Sequence, residues 1–214
     1  VARVTAIDLD TLTLAKGAHG DREQGVCLLE AVAWFAGQDH TDRPPCVSPV
    51  LGVFGRALND ALPDGKRQEL IPLIPLLPGT AGDGRDQARG YLALDWLIRV
   101  HLPAWLELAD LPATALRDLP PIADLAAAAA TGPVVRQAAE RAAAAWAAAG
   151  AVAEAAAWAV ARAVARAAAW DAAWAAVWAA ARAAAGDALA PTAAVLQDSA
   201  IGLYRAMVTA GGVA

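Results

Sequence analysis

Cys27, Glu30, His40 and Cys46 fall within twenty residues of one another. Thiolate sulfur, imidazole nitrogen and carboxylate oxygen are the donor types that complete a tetrahedral zinc site. Their spacing follows no established ligand pattern, and free cysteine is among the most deeply buried residue types. The two thiols therefore read in three ways, first as core sulfurs, then as a disulfide or redox pair, then as metal ligands. Glu30 poses the sharper question, because it stands in an otherwise apolar stretch, three residues after Cys27 and four before Trp34. A carboxylate there needs either the surface or a buried partner. Arg56 is the expected partner, with Asn59 and Asp60 just beyond it, and main-chain amides of the Gln38 to Cys46 loop are the alternative. A buried pair of this kind more often specifies a fold than carries out a reaction. With Asp42 of the intervening loop, the residues Cys27, Glu30, Asp42, Cys46, Arg56, Asn59 and Asp60 form the expected binding set.

Other chemistries lack an anchor. No Gly-x-Ser-x-Gly elbow is present, and His19 and His101 have no second donor nearby in the chain. The stretch Gly79-Thr80-Ala81-Gly82-Asp83-Gly84 lacks the Gly-Lys-Ser/Thr ending of a phosphate loop and follows no strand, so it reads as a turn. No catalytic residue, metal or cofactor is assigned.

These side chains must be positioned by helices. Gln24 to Ala36 is apolar on nearly every side, which suits a buried helix ended by Gly37. Ser48 stands as an N-cap before Pro49, and Val50, Val53, Phe54, Ala57, Leu58 and Ala61 recur at helical spacing. Prolines 72, 75 and 78 each remove a backbone donor, so at most a short helix is expected before them. Tyr91, Leu94, Ile98 and Leu102 mark a third long helix from Gln87, with a kink or restart at Pro103. A last helix is expected after Pro191, from Val195 to Val208. No run alternates with period two, so strands are not expected.

Composition changes at Thr131-Gly132-Pro133, dividing the chain into a helical half, 1–131, and an alanine-rich half, 132–214, that packs on it or shares one domain with it. From Ala138 to Ala188, 32 of 51 residues are alanine, the best helix former, and proline is absent. Every fourth position carries the larger or special residue: Trp146, Gly150, Glu154, Trp158, Arg162, Arg166, Trp170, Trp174, Trp178, Arg182, Gly186. Such a row drifts about 40° per step around a straight helix, which rules out a left-handed coiled-coil seam. Neighbours four apart still touch, so Trp170, Trp174 and Trp178 can form a ridge. The expected architecture is all-α, a multi-helix globular bundle of about seven or eight helices with long alanine-rich ones. As one rod the tract would be about 75 Å long, so it must fold back, at Gly150, or project as a stalk.

The 58% apolar fraction comes largely from alanine, and the longest uncharged stretch of the tract, Ala142 to Ala153, is too short to cross a bilayer. The start of the chain has no export-signal pattern, so a cytoplasmic setting is expected, with cysteines kept as thiols. Residues 1–131 hold 11 basic and 17 acidic groups, and 132–190 hold 5 and 4. Neither part has the basic excess that nucleic acid requires.

Gly25-Val26-Cys27-Leu28-Leu29-Glu30-Ala31-Val32-Ala33, Ala36-Gly37, Asp42, Pro45-Cys46, Ser48-Pro49-Val50, Phe54, Arg56 and Asn59-Asp60 make a distinctive series. With Tyr91 to Leu97, Arg99-Val100, Pro103 to Leu106 and the Trp-dotted alanine tract, the chain resembles a group of uncharacterised alanine-rich proteins of actinobacteria and their phages. The resemblance covers most of the chain. It departs at Leu29, where that group often has Met, and at Gln38, where it often has Glu, which argues against an obligatory chemical role at either position. The resemblance implies a source and a motif series, and no activity.

The first functional expectation is a non-enzymatic helical scaffold or interaction protein, self-associating as a homo-oligomer through its alanine-rich helices. The alternative is a small-ligand or metal-binding protein, or an enzyme, built on the Cys27 to Asp60 region.

Overall fold

The computed structural model describes residues 7–141, 144 and 170–210, the side chains of 170–188 apart. The chain is all-α, with no strand among the described residues. In order come α1 Leu28–Phe35, α2 Pro49–Ala61, α3 Asp64–Arg67, a 3₁₀ helix Gln68–Leu76 and α4 Asp86–Trp96. A π-helical turn Leu97–His101, α5 Leu102–Leu108 and α6 Thr114–Arg117 follow, then a helical stretch at 125–141, named α7, and α8 Trp170–Thr209. None of the described helices is long and apolar enough to cross a membrane.

The described residues gather into two compact units, one drawn from Val1–Trp96, Ile122–Leu125 and Gln197–Ala214, the other from Leu97–Pro121 and Ala126–Leu196. The compositional change at Thr131 to Pro133 thus falls inside α7, and the chain from Gln197 onward belongs with the first unit. Composition changed there without a change of backbone state, since Thr, Gly and Pro between two alanine runs do not outweigh the helix around them. Gly150 and the ridge tryptophans and arginines lie outside the described residues or side chains.

In the first unit, α1 is buried along nearly its whole length, Leu28 to Ala33 being at most 1% exposed. It is shorter than its apolar run. Gly25 takes φ 134° and Cys27 is extended, so the helix begins only at Leu28. At its end, Gly37 adopts φ 67° and donates to Trp34 O, while Gln38 donates to Ala33 O, the paired bonds of a Schellman turn. Around α1 pack α2 and the 3₁₀ helix, and the core is completed by Ile201, Tyr204, Met207 and Val208 of α8.

The proline run forms more structure than its residue types promise. In a helix of three residues per turn, prolines spaced by three share one edge. Pro72 and Pro75 are exposed there, so their missing donors face solvent, while Leu70, Leu73, Ile74 and Leu77 are buried. Similarly, α8 runs through Pro191 instead of beginning after it.

In the second unit, the π turn absorbs the disturbance expected near Pro103, and α5 starts at Leu102. Ile98, Leu106 and Leu116 are buried there, and α6 packs on both the π turn and α5.

Gly55 marks the closest approach in the first unit. A Cβ on it would collide with the Tyr204 hydroxyl and lie 2.9 Å from its ring carbon Cζ. Tyr204 cannot yield easily, being fully buried, stacked on Phe54 at 5.8 Å and donating to Leu51 O. Gly55→Ala is expected to destabilise by about 1 to 3 kcal/mol, the usual cost of overpacking, and by less in a Tyr204→Phe background. Urea titrations of the two single variants and the double variant measure both effects.

Candidate functional site

The residues singled out by sequence split into two groups. Cys27, Asp42, Arg56, Asn59 and Asp60, with Gly17 and Ala18, surround a small cavity of about 90 Å³. Glu30 and Cys46 are not among its walls.

Cys27 is the N-cap of α1 and, with Glu30 three residues on, forms a capping box in which sulfur replaces the usual hydroxyl. The Glu30 carboxylate accepts from Cys27 N at 2.8 Å, His19 N at 2.7 Å and His19 Nδ1 at 2.8 Å. Burial pushes the Glu30 carboxyl up, but these donors outweigh it and hold the group below the usual carboxylate range. The expected Glu30 to Arg56 bond is therefore not made. Main-chain amides do satisfy Glu30, as the alternative proposed, yet they belong to residues 19 and 27 and not to the Gln38 to Cys46 loop. The physical reason is local: a carboxylate in the first turn of a helix reaches back to its own cap, and the positive end of the helix favours it there.

His19 and His40 are the residues that sequence reasoning undervalued. His40 Nε2 sits 3.0 Å from the His19 carbonyl oxygen, which fixes the proton on that nitrogen, and 3.7 Å from Glu30 Oε1. The segment before α1 that carries His19 and the loop after α1 that carries His40 are thereby joined to each other and to α1. No signal in the spacing announces this, because the contacts join residues 11 and 21 positions apart, the second pair across the whole of α1.

Cys27 and Cys46 are free thiols. Burial pushes the Cys27 thiol up to about 12, with the nearby Glu30 charge adding to it, so it carries no thiolate at neutral pH. Cys46 serves through its backbone, its carbonyl accepting from Gly79 N and Ala81 N. No three His, Cys, Asp or Glu side chains converge as a metal would need among the described residues.

Asn59, fully buried, accepts from Leu28 N and donates to Ala15 O, tying α2 to the start of α1. Asp60 accepts from Gly17 N. Arg67 is spent on the end of α2, its Nε bonding Asn59 O and its Nη2 bonding Leu62 O.

A larger cavity, about 510 Å³, opens against the first half of α2. Pro44, Val47 and Val53 supply apolar wall, Gly52 leaves its middle open, and Arg43, Arg56, Ser48 and Asp86 bring polar groups to it. Behind it lies a buried network. Ser48 Oγ donates to Asp86 Oδ1, Ser48 N donates to Thr80 Oγ1 at 2.9 Å, and the fully buried Arg89 forks onto Asp83 at 2.8 and 2.6 Å. Arg89 also meets Asp86 at 3.2 Å and Met207 O at 3.1 Å. Its guanidinium holds the Asp83 carboxyl below the ordinary range. This network was not apparent from residue order, although Asp86 and Arg89 stand three apart, the spacing that stacks side chains along a helix.

Two double-variant cycles separate the expected pair from the one observed. Glu30→Gln with His19→Ala is expected to couple by about 1 kcal/mol or more, whereas Glu30→Gln with Arg56→Met is expected to add within about 0.5 kcal/mol. Because the folded Glu30 pKa lies below the unfolded one, its stabilisation is full above about pH 4.3 and is lost as pH falls through the folded value. Denaturant titrations at neutral and strongly acid pH should accordingly show the gap between wild type and Glu30→Gln narrowing in acid.

No protein-family model, curated protein or solved structure matches this chain, so the geometry of these two cavities carries the functional reading.

Proposed function

We propose that this protein is a binding protein without chemistry of its own, and that its ligand is a small organic molecule held in the cavity against α2. The observation that carries this reading is the cavity itself. At about 510 Å³ it falls in the range of small-molecule sites, and it combines apolar wall with a few polar groups, as such sites do. The groups that would suit a reaction elsewhere in the motif are committed to structure: the Cys27 thiol is protonated and the Glu30 carboxylate is filled by donors. The free thiols suit a cytoplasmic setting.

Gly52 provides the test. It lies in the wall, and a Cβ there would meet only Arg56 Nη1, at an ordinary 3.6 Å. Gly52→Leu should fill the cavity while the helix loses nothing, since replacing a mid-helix glycine gains about 0.5 to 1 kcal/mol in propensity. The fluorescent amphiphile anilinonaphthalene sulfonate is expected to bind wild type with one dye per chain and not to bind Gly52→Leu. Binding that survives the plug, or no stoichiometric binding at all, would remove this reading.

Self-association through the alanine-rich helices is the second reading. Its support is the 32 alanines in 51 residues, whose small side chains let helix backbones approach closely, together with the helical backbone of 125–141 and Trp170–Thr209. Light scattering across a wide concentration range is expected to show a homo-oligomer; a strict monomer at high concentration would rule it out.

A further inference from the structure

We infer that the ligand of the α2 cavity carries an anionic group, a carboxylate or sulfonate on an apolar body, read by Arg56 with Arg43 at the rim. This rests on the cavity reading above and names the ligand class for it. The inference follows from where the arginines of the first unit direct their donors. A guanidinium offers five N–H groups, and a buried one must use them. Arg67 spends its donors on two main-chain carbonyls and Asp64, and Arg89 spends its own on Asp83, Asp86 and Met207 O.

Arg56 differs. It is about one-quarter exposed, and its Nη1 donates to Asp42 O at 2.9 Å. Its approach to the Asp42 carboxylate, Nε to Oδ2 at 3.8 Å, is too long for a hydrogen bond. Arg43 meets Asp42 at 3.9 Å and is otherwise open to solvent. Two guanidinium groups on the cavity wall therefore share a single carboxylate at ion-pair distance and keep donors in reserve.

The other acid of the wall is already engaged in part. Asp86 accepts from Ser48 Oγ and from the buried Arg89 on one carboxylate oxygen, Oδ1, while Arg89 pairs more closely with Asp83. What the cavity lacks is an acceptor that matches a planar, multidentate donor, and a carboxylate or sulfonate supplies that geometry. Val47, Val53 and the neighbouring prolines provide for an apolar body beside it.

The experiment compares anilinonaphthalene sulfonate with its uncharged parent, phenylnaphthylamine, on wild type, Gly52→Leu, Arg56→Met, Arg56→Lys and Arg43→Met, each checked for helicity. Wild type should bind the sulfonate at least about tenfold more tightly, the scale of a charged hydrogen bond. Arg56→Met should lose that preference and retain the uncharged dye, Arg56→Lys should keep part of it, and Arg43→Met should weaken it. Equal affinity for both dyes in wild type, with both blocked by Gly52→Leu, would overturn the anionic class and leave the cavity standing. A preference that survives both Arg56→Met and Arg43→Met would overturn it as well. If Gly52→Leu blocks neither dye, the cavity reading itself fails.

Discussion

Helix α1 is sunk so deeply that every polar group it carries must be answered by another part of the chain, and much of the first unit is arranged to do so. Six consecutive residues, Leu28 to Ala33, have almost no contact with water, and one of them is Glu30. The first N–H groups of a helix have no partner within it, and a buried carboxylate left without donors is more costly still. The chain meets both needs at one place. Glu30 turns back to the Cys27 amide, Asn59 reaches over from α2 to the Leu28 amide, and the loop at His19 bends in to supply two more donors. Removing the carboxylate would leave the His19 loop without its anchor on α1.

This demand explains why the motif residues cluster where they do. Cys27, Asn59 and Asp60 hold backbone, and they line a small cavity because each ties a different segment to the same corner. Proximity of sulfur, carboxylate and imidazole resembles a metal or nucleophile site on paper. The burial that brings them together also keeps the thiol protonated and fills the carboxylate with donors, which removes the reactivity such sites depend on.

The arginines show the opposite logic. Two are enclosed and bonded through all three of their nitrogens, one closing the end of α2 and the other joining the loop before α4 to the end of α8. Their use makes the incomplete commitment of Arg56 and Arg43 meaningful, since a protein able to satisfy a fully buried guanidinium leaves others partly open beside a cavity of ligand size. Asp86 on the same wall is held from behind by Ser48 and Arg89 through one carboxylate oxygen.

Helical content, the Ser48 and Pro49 start of α2, the glycine stop after α1 and the break near Pro103 were legible in residue order alone, because caps, breakers and apolar periodicity act within a turn or two of chain. The burial of Glu30 was legible too, from the apolar residues on either side. Its partner was not, since residue types and spacing point to Arg56 and only the path of a glycine-containing loop brings His19 in instead. The 3₁₀ helix of the proline run was hidden for a related reason: whether prolines break a helix depends on which edge faces water. The ligand-sized cavity and the fully buried Arg89 depend on α2, the loop at Thr80 and the end of α8 meeting across more than a hundred residues of chain. Local chemistry set the elements, and contacts between distant segments decided what their polar groups are for, because burial is a property of the packed chain and not of any residue in it.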